Sequence, residues 1–420
     1  MVDQADFDSA IDNLVSATLN QCADWAALLY RLPSVYPPLV LESAKRLSLL
    51  HMIRFGNGSF TETQPSFAMR LWSQGKLLTP HPQDASWWFS DSALQTLVER
   101  IWRLPTKKGE LLMLGTPTLF HFAKQLAPQQ SVILLDKESV NESNGLHRSL
   151  RVDLLREQPS YMKAAVIIAD PPWYWSDMRA FLWTARRNSK EGTFVMMSVP
   201  PVGTRPGVQK EWVELLDWAE SLGLHLLDYQ PAALPYVSPP FERNALLAAG
   251  LKSCPMDWRR GDLAVFLCNS EVEPTGELVL AGVDEVWQEA VFGQVRWRIQ
   301  STQWNGWESP LLSEIVPGDV LPSVSRRDNR LRSVRAWTSG NRVFGCLGGF
   351  ALCKIAQALE RNRCPVSSLE VYWGSKLDAD QVVQVEETVE RLRKIIEVEE
   401  QEVAEWQNRL NENVVELPSC

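Results

Sequence analysis

The chain has 420 residues and a mass of 47.6 kDa, with 45% hydrophobic and 22% charged residues. This length predicts two or three domains, and this composition excludes a disordered or fibrous chain. The formal charge of −9 argues against a general nucleic-acid coat, although a local basic region is compatible with an acidic total. The 7 cysteines form no CxxC pair, so we predict neither a metal site nor a disulfide framework.

Apolar runs and the first residues bear on localisation. No run reaches the roughly 18 apolar residues that a membrane helix needs. The segment MVDQADFDSAIDNLV lacks the basic start and apolar core of a signal peptide. We therefore expect a cytoplasmic protein without a membrane partner.

The first two regions of the chain differ in their apolar periodicity. Residues 1–83 carry apolar residues at helical spacing, interrupted by PSVYPP, and are predicted to form a helical region. Residues 84–270 alternate short apolar strands with amphipathic helices, which is typical of an α/β domain with a doubly wound, largely parallel sheet. The predicted strands are ELLMLG, SVILLD, AAVIIAD, GTFVMMSV, LGLHLLDY and GDLAVFLC. The predicted helices include SDSALQTLVERIWRL, TLFHFAKQLA and QKEWVELLDWAESLG.

Residues 271–375 are predicted to form a separate β-rich module that contains arginine and tryptophan. Between Val291 and Arg342 there are 8 Arg and no Lys, with tryptophans interleaved. Arginine with tryptophan is typical of a surface that binds phosphates and stacks on bases. The alternative interpretation is that arginine stems pack over aromatic rings in ordinary cation–π contacts. The predicted nucleic-acid-binding residues are Arg326, Arg327, Arg330, Arg332, Arg335 and Trp337.

Residues 376–420 are predicted to contain a long acidic helix with a heptad pattern. Its apolar positions alternate at spacings of three and four, if Glu399 is allowed as a polar exception. Two interpretations stay open: a coiled coil with a second copy or another protein, and a helix laid on the surface of its own protein. The pattern consists of Val382, Val385, Val389, Leu392, Ile396, Val403, Trp406 and Leu410.

The strongest chemical signal is AAVIIADPPWYW, in which an apolar strand ends in Asp170, Pro171, Pro172 and Trp173. An enzyme that methylates an exocyclic amine must hold a poorly nucleophilic NH2 group. The Asp170 carboxylate and the Pro171 carbonyl can accept its two hydrogens. The prolines stiffen the loop, and Trp173 or Tyr174 offers a face on which a flipped base can stack. The alternative is a rigid turn that only ends a strand.

A cofactor site is expected upstream, at the first turn from strand to helix. Gly115 follows ELLML, and Thr116 and Pro117 open the next helix, whose N-terminal NH groups would face the cofactor. Asp136 lies 21 positions after Gly115, where a carboxylate can bind ribose hydroxyls. Asp153, in LRVDLL, could accept the adenine amine of the cofactor.

These motifs, in the order WWFSDSALQTLVERI, LLMLGTPTLFHFAKQL, VILLDKES and VIIADPPWYW, resemble the "probable N6-adenine methyltransferase" family. The resemblance covers roughly residues 87–268. That family includes elongation-factor lysine methyltransferases and a zinc-finger rRNA adenosine methyltransferase, and it too lacks a G-x-G-x-G loop.

The resemblance implies a class I, Rossmann-like fold and S-adenosylmethionine as the cofactor. By position, Thr116 and Pro117 match the cofactor loop, Asp136 matches the ribose carboxylate, and Asp170 to Trp173 match the loop that holds the amine. Trp88 and Phe89 match an aromatic entry segment that contacts the substrate.

The expected function is transfer of a methyl group to an exocyclic amine, most readily N6 of adenine in DNA or RNA. Two alternatives stay open. One is an inactive methyltransferase-like scaffold that binds nucleic acid or a protein, and the other is a protein lysine methyltransferase.

Overall fold

The computed structural model describes residues 4–55, 66–105, 109–138, 142–157, 159, 162–271, 287–301 and 306–412. The chain forms two compact units. The first consists of Met1–Leu77, Trp87–Ser238 and Lys252–Gly282, and the second of Leu78–Ser86, Pro239–Leu251 and Val283–Cys420. Because each unit combines separate stretches of the chain, the division into four consecutive regions stays a prediction. No helix within the described ranges is long and apolar enough to cross a membrane.

The N-terminal region is helical, as the sequence predicts. Its helices are α1 (Gln4–Leu19), α2 (Trp25–Arg31), α3 (Pro37–Arg46) and α4 (Phe67–Ser73). Polar caps set two of their starts, because Asp24 accepts from the amide of Ala27 and Ser66 from that of Met69. Short 3-10 turns span Leu50–Met52, Pro82–Asp84, Val202–Thr204 and Asn329–Ser333.

A nine-stranded sheet forms the centre of the first unit. Its strands are β1 (Trp88–Phe89), β2 (Leu111–Leu114), β3 (Val132–Asp136), β4 (Glu142–Asn144), β5 (His147–Arg151), β6 (Ala164–Ala169), β7 (Ser189–Val199), β8 (Leu224–Val237) and β9 (Arg260–Cys268). The helices that connect them are α5 (Asp91–Arg103), α6 (Pro117–Leu126), α7 (Trp175–Arg187) and α8 (Val208–Ser221). All six predicted strands and the three quoted helices are present.

The strand order is β1-β8-β9-β7-β6-β2-β3-β5-β4. Strands β5, β3, β2, β6 and β7 pair in parallel, whereas β9 lies antiparallel between β7 and β8. The edge strands β1 and β4 are also antiparallel to their neighbours. A parallel doubly wound core followed by an antiparallel strand, here β9, is the class I methyltransferase arrangement, so the predicted fold is confirmed. Its central strands are almost wholly apolar, because both faces are covered.

The second unit contains α9 (Pro240–Ala248) and an antiparallel sheet of order β10-β11-β13-β14-β12. The strands are β10 (Trp287–Phe292), β11 (Val295–Gln300), β12 (Ser313–Glu314), β13 (Ala336–Thr338) and β14 (Val343–Gly345). Gly293, with φ +55°, occupies the turn of the β10–β11 hairpin. Helices α10 (Gly349–Glu360), α11 (Pro365–Trp373) and α12 (Ala379–Glu412) complete the unit.

Helix α12 packs its heptad face on the second unit itself. Val385 and Leu392 are fully buried in a core that also contains Trp297 and Phe344. Glu399, the polar exception in the pattern, is buried and ion-paired with Arg342 at 3.1 Å. The packing agrees with the interpretation of a helix laid on its own protein, and Leu410 lies outside the residues whose side chains are described.

Candidate active site

The carboxyl ends of β2, β3 and β6 bring the predicted cofactor and amine-holding residues to one edge of the sheet. The amide of Gly115 donates to the carbonyl of Leu135 at 2.9 Å, and the amide of Asp170 donates to that of Leu114 at 3.0 Å. These bonds continue the parallel ladders by one residue past the strands. The turns that begin at Gly115 and Asp170 therefore lie side by side.

Gly115 fits this position for two reasons. Its φ of +66° is in the left-handed region, and a Cβ there would lie 2.9 Å from Cε1 of Phe181 and 3.2 Å from the carbonyl oxygen of Asp170. Thr116 precedes Pro117 at the start of α6, yet its side chain does not cap the helix. The Thr116 hydroxyl is buried and has no hydrogen-bond partner among the described residues. A buried hydroxyl beside open helix NH groups fits a polar ligand such as S-adenosylmethionine.

The two predicted cofactor carboxylates lie at the ends of neighbouring strands. Asp136, the last residue of β3, is half-buried and accepts from the amide of Glu138 at 2.7 Å. Asp153 follows β5, accepts from the amide of Leu155 at 3.0 Å and lies 3.6 Å from the guanidinium of Arg156. Each carboxylate is thus held by its own turn, at the edge where the ribose and adenine of the cofactor are expected.

A chain of side-chain hydrogen bonds leads from Asp170 back to Trp173. Tyr236 on β8 donates its hydroxyl hydrogen to Oδ1 of Asp170 at 2.6 Å. The Tyr236 oxygen lies 2.5 Å from Oγ of Ser198 on β7, and the Trp173 indole NH donates to that Oγ at 3.2 Å. Ser198 and Tyr236 are 1% and 2% exposed. Burial raises the pKa of Asp170 to about 7, against the lowering effect of the neighbouring hydroxyls of Tyr236 and Ser198.

Backbone contacts hold the rest of the loop. The Pro172 carbonyl accepts from the amide of Tyr174 at 2.8 Å. Arg205 donates to the carbonyl oxygen of Trp173 at 2.7 Å and pairs with Glu211 at 2.6 Å. Pro171 is buried, and its carbonyl oxygen receives no hydrogen bond from the described residues. That carbonyl and Oδ2 of Asp170 are therefore the loop's candidate acceptors for an amine.

A guanidinium lies among the aromatic rings beside the loop. The Arg259 guanidinium carbon is 4.6 Å from the ring centre of Trp87, 4.7 Å from that of Trp258 and 5.8 Å from that of Trp173. These are cation–π distances. The positive charge of Arg259 also acts on the hydroxyl of Tyr236, where it opposes the rise in that residue's pKa caused mainly by burial.

The structure corrects the prediction that Trp88 and Phe89 contact substrate. They are 3% and 1% exposed in β1, where they pair with Val237 and Tyr236. Phe89 stacks on Tyr236 with ring centres 5.0 Å apart, so it supports the site from behind. Tyr174 is half-buried before the first turn of α7 and stays a candidate substrate contact.

The predicted nucleic-acid residues, all in the second unit, separate into three groups by burial. Trp337 is 4% exposed, packs with Val316 and Val343, and bonds its indole NH to Asn341 at 3.0 Å. Its prediction as a stacking surface is wrong, because the ring belongs to the core. Arg326 and Arg335 are half-buried and donate to backbone carbonyls. The side chains that reach the surface belong to Arg327, Arg330 and Arg332.

Sequence reasoning missed Tyr236, Ser198 and Gly261. They come from β8, β7 and β9, which lie 28 to 91 positions beyond Asp170. Tyr229 lies on the same strand as Tyr236 and donates to Asp262 instead. Nothing in the sequence separates these two tyrosines, since the difference depends on the register of β8 against β9.

Comparison with known proteins finds a similar family over part of the chain. The family model described as probable N6-adenine methyltransferase matches residues 81–199, which confirms the resemblance noted in the sequence. The match includes the cofactor turn and the Asp170 loop. The match supports an S-adenosylmethionine-dependent methyltransferase. S-adenosylmethionine is the cofactor that this family implies.

Two solved structures illustrate the range of similar folds. A branched-chain polyamine synthase from Thermus thermophilus, in complex with N4-aminopropylspermidine and 5'-methylthioadenosine, is 14% identical, with a TM-score of 0.44. The alignment covers 64% of this chain and 91% of that one. A TehB-like methyltransferase from Corynebacterium glutamicum is 11% identical, with a TM-score of 0.28, over 43% of this chain and 89% of that one. No curated protein matches the chain.

Proposed function

We propose that the protein transfers a methyl group from S-adenosylmethionine to the N6 amine of adenine in a nucleic acid. The observation that carries the proposal is the loop Asp170 to Trp173. Its Asp170 side chain is fixed through Oδ1 by Tyr236, and its Pro171 carbonyl receives no hydrogen bond from the described part of the chain. The loop begins beside the turn of Gly115, where the cofactor is expected, because the backbone carbonyl oxygen of Asp170 lies 3.2 Å from the position of a Cβ at Gly115.

The chemistry requires an amine to be held and activated. S-adenosylmethionine, when bound, supplies an electrophilic methyl group on a positively charged sulfur. The amine nitrogen attacks that carbon with its lone pair, the carbon–sulfur bond breaks, its electron pair stays on sulfur, and the nitrogen then loses one proton. Oδ2 of Asp170 and the carbonyl oxygen of Pro171 can accept the two amine hydrogens and draw electron density onto nitrogen. Asp170, with a pKa of about 7, can also take up the released proton.

The charges around the loop favour adenine over lysine. A lysine side chain arrives as an ammonium ion and needs an ionised carboxylate and a base. Here burial keeps a large fraction of Asp170 protonated at neutral pH, and the Arg259 cation lies 5.8 Å from the ring centre of Trp173. An adenine amine is neutral, so it needs no prior deprotonation before it reaches the ionised fraction of Asp170, and the Arg259 cation does not repel it.

The proposal is tested by incubating the full chain with S-adenosylmethionine labelled at the methyl group and a cell lysate. The products are then divided and treated with nuclease or with protease. We expect nuclease alone to release the label, N6-methyladenine to be the labelled base, and Asp170→Ala to abolish incorporation. Release by protease alone would favour lysine methylation. Absence of label with a folded protein would favour the non-catalytic scaffold.

A matched variant distinguishes loss of chemistry from loss of structure. Asp228→Ala removes an aspartate that is 40% exposed and pairs with Arg100 on the surface. Because exposed ion pairs contribute little to stability, this variant should retain full incorporation. Equal loss in both variants would show that the assay reports folding and not methyl transfer.

A further inference from the structure

The loop from Asp170 to Trp173 is closed into a ring by side chains from two distant strands. Its two ends are joined through the hydroxyls of Tyr236 and Ser198 by hydrogen bonds of 2.6, 2.5 and 3.2 Å. The intervening residues are the two prolines. The prolines restrict the backbone, whereas the ring fixes where the side chains at the two ends point.

The direction of every hydrogen in this ring follows from its chemistry. The Trp173 indole can only donate, so Ser198 accepts there. Tyr236 gives its hydrogen to the Asp170 carboxylate, which leaves the Ser198 hydrogen for the Tyr236 oxygen. Both hydroxyls are buried, so water does not compete for these positions. With these directions, Oδ1 of Asp170 accepts a hydrogen.

We propose that Tyr236 is a positioning residue for methyl transfer, because it occupies Oδ1 of Asp170 and so presents Oδ2 to the target amine. The inference rests on the proposed function of this loop. Without the Tyr236 hydroxyl, the carboxyl group could rotate and either oxygen could face the amine. Phe89 stacks on the aromatic ring of Tyr236 with ring centres 5.0 Å apart. This contact should keep the aromatic ring in place when only the hydroxyl is removed.

The structure also offers a matched control on the same strand. Tyr229 donates its hydroxyl hydrogen to the buried Asp262 and is not a member of the hydrogen-bonded ring. Tyr236→Phe and Tyr229→Phe each delete one hydroxyl that binds an aspartate carboxyl group. Only the first should affect Asp170.

The test is a carboxyl carbon NMR titration of the full chain labelled at aspartate, with the Asp170 signal assigned by its absence in Asp170→Asn. The groups that face Asp170 are Tyr236 from β8 and Ser198 from β7, and the charge of Arg259 acts on Tyr236. Loss of the donor hydrogen bond removes stabilisation of the ionised carboxylate, so Tyr236→Phe should raise the pKa of Asp170 by on the order of one unit. Tyr229→Phe should leave that pKa unchanged.

Kinetics supply the second readout. In Tyr236→Phe we expect kcat to fall by on the order of tenfold, with the acidic limb of its pH profile shifted to higher pH and KM for S-adenosylmethionine unchanged. Ser198→Ala should also raise the pKa of Asp170 and lower kcat, but by smaller amounts than Tyr236→Phe. An unshifted Asp170 signal in Tyr236→Phe would overturn the inference, whether or not the wild type transfers methyl groups. A shifted signal without any transfer by the wild type would instead contradict the proposed function.

Discussion

Gly261 lies against the indole of Trp173: a Cβ at position 261 would be 3.0 Å from Cζ2 of that ring. The same Cβ would lie 2.8 Å from Oγ of Ser198 and 3.2 Å from Cε2 of Tyr236. Because Gly261 has no side chain, Trp173, Ser198 and Tyr236 can approach one another closely enough to form their hydrogen bonds. This requirement is steric, since the backbone of Gly261 is not in the left-handed region.

The first prediction is that Gly261→Ala impairs methyl transfer. The added methyl group must push apart Ser198, Trp173 and Tyr236, and displacement of reacting groups by a fraction of an ångström lowers rates strongly. We expect kcat to fall by on the order of tenfold to a hundredfold, with S-adenosylmethionine affinity retained, in steady-state assays and calorimetry.

Gly75→Ala is the control for this variant. Gly75 has φ +68° and open space around its Cβ position, so the substitution costs about 1 kcal/mol of stability through backbone strain alone. It should leave kcat unchanged. Equal losses of activity in both variants would mean that Gly261 matters only for folding.

The second prediction concerns the pH dependence of stability. The folded pKa of Asp170, about 7, is above its ordinary value of 3.8, so the folded chain binds this proton more tightly than the unfolded chain. Its stabilising contribution is therefore complete below about pH 4 and declines as pH rises towards 7. The asparagine in Asp170→Asn cannot ionise. The unfolding temperature of this variant, measured relative to that of the wild type, should therefore rise between pH 5 and pH 8.

Asp12→Asn is the comparison, because the pKa of Asp12 is lowered in the folded chain whereas that of Asp170 is raised. The hydrogen bond from Arg46 lowers the pKa of Asp12, so its contribution is lost only as pH falls through the acid range. Its difference from the wild type should stay constant between pH 5 and pH 8. A constant difference for Asp170→Asn as well would refute the raised pKa.

The third prediction is that Glu399 anchors α12 to the second unit. Its carboxylate accepts from the Thr338 hydroxyl, from the amide of Gly340 at 3.1 Å and from Arg342 at 3.1 Å. Glu399→Ala leaves the buried Thr338 hydroxyl and Gly340 amide without this acceptor, whereas Arg342 keeps its ion pair with Glu402. The loss should cost about 2 to 4 kcal/mol in chemical unfolding. The exposed Glu397→Ala, on the same helix, should cost less than about 0.5 kcal/mol.

The coiled-coil interpretation predicts a different outcome for the same helix. Val385→Asp would then dissociate an oligomer at unchanged stability of the unit. Because Val385 is fully buried in the unit's own core, we expect the variant to unfold the second unit instead. Sedimentation and unfolding measured on one sample separate these results.

The fourth prediction distinguishes exposed arginines, which can contact nucleic acid, from the buried Trp337, which stabilises the second unit. Arg327 and Arg332 are exposed, so replacing both with alanine should weaken any DNA or RNA binding and reduce its dependence on salt by about two phosphate contacts. Trp337→Ala should instead lower the unfolding temperature of the second unit, since Trp337 is buried. Binding that is lost in Trp337→Ala at unchanged stability would restore its role as a stacking surface.

The sequence revealed the parts of this protein that depend on local pattern. The apolar strands β2, β3 and β6, the glycine turn at Gly115 and the loop at Asp170 are each continuous in sequence and could be predicted. Positions set by long-range register could not. Tyr236 and Tyr229 share a strand, but the pairing with β9 is irregular between Gln230 and Leu234, and this shift lies between the two tyrosines.

Aromatic composition was the least informative signal. Tryptophan beside arginine suggested a binding surface, yet Trp297 and Trp337 fill the core of the second unit. Several of the neighbouring arginines pair with acidic groups; for example, Arg298 contacts Asp84 at 2.5 Å and Arg342 contacts Glu402 at the same distance. Composition indicates which side chains are present, whereas burial decides what they can contact.

We expect S-adenosylmethionine to bind at the edge formed by Gly115, Asp136 and Asp170. Calorimetric titration of the full chain with S-adenosylmethionine and with its demethylated product tests it most directly. We expect micromolar binding of both in the wild type and loss of binding in Asp136→Ala, with the unfolding temperature retained. Absence of binding by the folded wild type, or equal affinity in Asp136→Ala, would contradict the account.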